Sequence, residues 1–144
     1  MNETKQTTFT ILLKMLPIPK GSTFSKWCET WLKEIKDDIY SIIEDDPNAV
    51  KLRNERFGAY LPTISTLVTI YRFKAREERE AFYREHPKPP SGIKEWEERR
   101  DAVTSQWRYM TDFLTALRED LQRRISVSQT TLSVYKEELK SHLD

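Results

Sequence analysis

At 144 residues, with one cysteine and a formal net charge of +1, the chain is long enough for one domain whose core needs no disulfide or metal staple. So small a charge excludes a whole-molecule field of the kind that draws proteins to nucleic acid or anionic membranes, and any such surface must be local. Three glycines in a chain that is 33% charged favour long helices over turn-rich sheets, so the expected class is all-α.

Residues 1–21 differ from the rest: Thr4, Thr7, Thr8 and Thr10 surround a short apolar run that Lys14 interrupts, and Pro17 and Pro19 close it. Prolines two apart cannot lie inside a helix, and each pushes the residue before it to extended backbone. The segment reads as an N-terminal arm, laid along the bundle or docked on a partner subunit. Its apolar run is too short for a secretory leader or a membrane span, which needs about 20 apolar residues. A cytoplasmic setting is the default expectation. Lys20, Gly21, Ser22 and Thr23 hold the letters of a phosphate loop in the wrong order and carry no such meaning.

A single helical domain is expected over 22–144. Its first helix starts at Ser22 or Thr23, either of which can cap it, and Phe24, Trp27, Cys28, Trp31, Leu32, Ile35, Ile39, Ile42 and Ile43 give it one wide apolar face. Asp45, Asp46 and Pro47 end it, and Asp46 and Pro47 are suited to cap and open the next. From Pro47 to about His86 the pattern is helical again, with Tyr60, Ile64, Leu67, Val68, Tyr71, Ala75 and Phe82 on one side. Pro62 predicts a kink there, or a break near Gly58, because an interior proline costs about 3 kcal/mol. Pro87, Pro89 and Pro90 mark residues 87–90 as a stiff linker between helical halves 22–86 and 91–143.

In the second half Ile93, Trp96, Arg100, Val103, Trp107, Met110, Leu114, Leu117 and Leu121 alternate by three and four, the a/d seam of a coiled coil or slender bundle. Ile125 comes four after Leu121, a stutter, and Ser128, Leu132, Tyr135 and Leu139 resume the alternation. A compact domain of this length is roughly 35–40 Å across, whereas one helix from Gly92 to Leu143 would run about 75 Å. Either the helix breaks in the polar run Ser126 to Thr131, or the molecule is elongated and the overhang pairs with another chain. The expected fold is therefore an elongated bundle of about four helices with a long, heptad-patterned C-terminal helix. Leu117, Leu121, Ile125, Leu132 and Leu139 are the candidate self-association contacts.

Residues able to do chemistry are few. His86 lies in the linker and His142 near the C-terminal end, Cys28 falls on an apolar face, and Glu138 with His142 supplies two metal ligands where a site needs more. No catalytic, cofactor or metal site is expected, and the protein reads as a non-enzymatic interaction or assembly subunit. The partners expected are a second copy of the chain or another protein. The alternative is an accessory nucleic-acid-binding protein, because Lys51, Arg53, Arg56, Arg72, Lys74 and Arg76 stand against Glu55 alone between Pro47 and Arg76. The first helix meanwhile is acidic, so pairing of the two within the fold is the simpler use of those charges.

Overall fold

The computed structural model describes residues 2–41 and 46–143, and over them the chain is all-α, with helices α1 (Asn2–Lys14), α2 (Phe24–Ile39), α3 (Pro47–Glu85) and α4 (Ile93–Leu143). No described helix is long and apolar enough to cross a membrane. Four helices were expected, but they are divided differently: the arm contributes one, and the break at Pro62 is absent.

The segment read as an arm holds α1, a helix of 13 residues rich in threonine. A helix this short is marginal alone, and tertiary contact supports it. The Phe9 ring stacks on Phe73 of α3 at 6.3 Å, and Lys74 Nζ lies 4.4 Å from the Phe9 centroid. Leu12 and Leu13 pack on the same core, and Leu16 is buried. Pro17 and Pro19 act after the helix, where prolines commonly follow a C-terminus. The chain then turns through Gly21, whose φ of 84° suits a residue without Cβ.

Thr23 caps α2 by accepting the Lys26 N–H at 3.3 Å. The helix ends at Ile39, earlier than the expected Asp45; Ile42, Ile43 and Asp45 lie outside the described residues. Asp46 Oδ2 accepts the Ala49 N–H at 3.3 Å and Pro47 opens α3, as the sequence predicts. The helix then runs 39 residues without interruption. Pro62 is tolerated because it sits on the exposed face and forfeits one backbone bond, while Phe57, Ile64, Leu67 and Val68 anchor the opposite face in the core.

The proline linker is real, and its ends are tied together. Trp96 Nε1 donates to the His86 carbonyl at 2.8 Å, and the Trp96 ring stands 5.7 Å from Phe82 and 5.6 Å from Tyr83. Past it α4 returns antiparallel to α3: Tyr71 meets Trp107 at 5.9 Å, and Arg118 Nη1 reaches Ser65 Oγ at 3.4 Å. The helix does not break at Ser126 to Thr131. Thr130, Thr131 and Ser133 return their hydroxyls to carbonyls four residues back at 3.1–3.2 Å, which satisfies them without leaving the helix. The 51 residues of α4 make the molecule elongated, as the alternative to a break required.

The middle of the inner seam of α4, from Trp107 to Ile125, is covered by the same chain, while Ile93, Val103 and Leu139 of that seam stay exposed. Leu114 and Leu121 are fully buried, whereas Val103 is 43% exposed and Met110 half-buried. Thr104 and Thr111 are buried in place of these two expected seam positions. The substitution costs little because Thr111 Oγ1 donates to the Trp107 carbonyl at 2.9 Å and Thr104 Oγ1 to the Asp101 carbonyl at 3.4 Å. Trp27 is buried, while Trp31, Trp96 and Trp107 are half-buried.

Candidate functional site

The six basic residues of the α3 stretch divide among four places. Arg53 and Arg56 hold α2: Arg53 Nη2 donates to the Ile39 carbonyl at 2.8 Å, and Arg56 clasps Asp38 through Nε at 3.1 Å and Nη2 at 3.0 Å. Tyr60 donates to the same carboxylate at 2.8 Å. The Arg56 hydrogen bonds hold the Asp38 carboxyl below its ordinary value despite partial burial. Burial, with the bond to Asp38, pushes the Tyr60 hydroxyl up to about 12. Lys74 is occupied by Phe9 and by Glu77, 3.8 Å away. Lys51 lines a groove of about 590 Å³ at the far end of the bundle, with Leu132, Leu139 and His142. Arg53 and Arg72 stand about 28 Å apart along the helix, so the six residues do not form one patch.

Arg72 and Arg76 instead face α4. With Arg79 and with Arg108 of α4 they line an open groove of about 730 Å³, which also holds Asp101 and Asp112 and has Tyr109 at its edge. Among the described residues Arg72, Arg76 and Arg108 have no hydrogen-bond or ion-pair partner. Arg79 donates to the Tyr83 hydroxyl at 3.2 Å. Arg79 and Arg108 stand outside the candidate stretch, one just past it and the other on a different helix. Only antiparallel packing brings them beside Arg72 and Arg76.

The second surface is the outer face of α4. Of the five leucine and isoleucine positions expected to mediate self-association, Leu121 is fully buried inside the chain's own core, and Leu117 and Ile125 pack against that core. Leu121 is therefore a folding residue. Leu132 is half-buried and Leu139 is 62% exposed, both at the far groove. Besides Leu139, α4 turns other large apolar side chains to solvent: Tyr109 is 70% exposed, Val127 62%, Phe113 and Val134 nearly half, and Val103 and Ile93 of the inner seam 43% and 39%.

Cys28 is buried with Sγ 3.7 Å from the Tyr71 hydroxyl, and burial pushes its thiol up, away from nucleophilic character. Among the described residues no three His, Cys, Asp or Glu side chains gather as a metal site would require. No family model, curated protein or solved structure matches the chain.

Proposed function

We propose that the protein is a non-enzymatic interaction or assembly subunit that self-associates through α4. The observation that carries this reading is the outer strip of that helix. Single exposed hydrophobics are ordinary, but Tyr109, Phe113, Val127 and Val134 recur along one side of one helix, opposite the part of its inner seam that the chain covers itself. Apolar side chains repeated along one exposed helix face in this way mark contact sites. Changing Phe113 and Val127 together to Glu is expected to turn an oligomer into a monomer by light scattering, with helix content unchanged because neither side chain belongs to the core. An unaltered mass would overturn the reading.

The groove of Arg72, Arg76, Arg79 and Arg108 favours a second reading, binding of a phosphate-bearing polymer such as single-stranded nucleic acid. Reversal of Arg53 and Arg56 would be a poor test, since it would release α2. Arg72→Glu with Arg108→Glu should abolish binding, and the parent's affinity should fall steeply with salt. A parent that binds nothing at low salt removes this reading.

A further inference from the structure

Around α4 from Ala102 to Val134, every position reached by alternating steps of four and three lies outside the core, with no stutter. The apolar members of this second seam are Ala102, Tyr109, Phe113, Ala116, Val127 and Val134. All six are exposed. The strip is about 48 Å long, and an unbroken period of 3.5 residues is what keeps a seam facing a partner helix along a left-handed supercoil. At its middle stand two charges of opposite sign, Asp120 and Arg123. Arg123 is exposed and has no partner among the described residues, while Asp120 uses Oδ2 to accept from Arg124 at 3.0 Å and leaves its other oxygen free.

Resting on the self-association reading above, we infer that the partner on this strip is a second copy of the chain, running antiparallel about a two-fold axis that passes between Leu121 and Gln122. Such an axis maps the seam from Tyr109 to Val134 onto itself position by position, and sets Gln106 and Ala102 against the partner's Glu137 and the partner's Ser141. Asp120 then faces the partner's Arg123, and Arg123 faces the partner's Asp120, so each dimer gains two complementary contacts at its centre. Outward from these, Ala116 meets the partner's Val127, Phe113 the partner's Thr130 and Tyr109 the partner's Val134. Large side chains thus fall opposite smaller ones in layer after layer, as interdigitated packing requires. A parallel pair in register would set Asp120 against Asp120 and Arg123 against Arg123, repulsion that the antiparallel arrangement converts into attraction. The two-fold contact is closed, so it stops at a dimer.

The register is tested by charge reversal and by cross-linking. Asp120→Arg alone, or Arg123→Asp alone, is expected to raise the dimer dissociation constant about tenfold or more, and the double variant to restore it. Tyr109→Cys mixed with Val134→Cys should yield a disulfide between positions 109 and 134 of different chains on oxidation, identified by peptide mass; the buried Cys28 stays outside the reaction. Links joining 109 to 109 or 134 to 134, or a double variant as weak as the single ones, would overturn the antiparallel register while leaving self-association standing. A parent chain that is monomeric at all concentrations would remove both.

Discussion

Leu121 and Val127 lie on the same helix six positions apart, and opposite consequences are expected when each is cut to Ala. Leu121 is fully buried among the core residues, so its truncation loses the transfer energy of the removed carbons and leaves a cavity between α3 and α4. Comparable leucine truncations cost about 2.7–5 kcal/mol. Against a total stability of about 5–15 kcal/mol, that corresponds to a fall in Tm of about 10 °C or more. Val127, 62% exposed, touches little within its own chain. Its replacement exchanges a β-branched residue for the best helix former, an effect within about 0.5 kcal/mol of zero. The assay is thermal unfolding followed by circular dichroism, at a dilution where the chain is monomeric. Equal losses at the two positions, or a negligible loss at Leu121, would refute the assignment of inner and outer faces.

Three further outcomes concern α3 and its contact with α2. Because the Asp38 carboxyl is held below its ordinary value in the folded chain, the stability it contributes is present in full above about pH 4 and is lost as pH falls through the depressed folded value. Asp38→Asn should therefore lower the unfolding free energy from urea titration at pH 7 by about 1–2 kcal/mol, given that Arg56 is partly solvated. The gap to the parent should narrow at pH 3, and an equal gap at both values would show that Asp38 acts through shape alone. At Gly58 an added Cβ would meet nothing within 4 Å, so Gly58→Ala should stabilise α3 by about 0.5–1 kcal/mol. Pro62→Ala restores an N–H to the carbonyl of Gly58 on an exposed face and should raise the unfolding free energy by about 1–2 kcal/mol; a lower value would show that core packing depends on local geometry imposed by the proline.

Where local chemistry dictates a boundary, the sequence announces it. Thr23 and the Asp46–Pro47 pair cap α2 and α3 through side-chain atoms they carry themselves, and three closely spaced prolines end α3 whatever surrounds them. Where the deciding contact comes from elsewhere, the letters mislead. Threonines disfavour α1, yet Phe73 and the core beneath it hold Phe9 in place. Thr104 and Thr111 look like surface residues, yet their hydroxyls close on their own helix and let them line the interface with α3. The cluster of basic residues from Lys51 to Arg76 is continuous only in one dimension, because a helix turns Arg53 toward α2, Lys74 toward α1 and Arg72 toward α4. The outer seam is masked for a related reason: Asp120 and Arg123 interrupt its apolar letters at the centre, and it stands out only once the inner face is known.

On the proposal that α4 offers its outer face to a second copy, the chain should dimerise reversibly. Sedimentation equilibrium of the unmodified protein over a wide concentration range tests this most directly. The expected result is a reversible monomer–dimer equilibrium, with the dimer dominant at high concentration and no larger species. A single folded monomer throughout, or a tetramer or open-ended assembly, would contradict it.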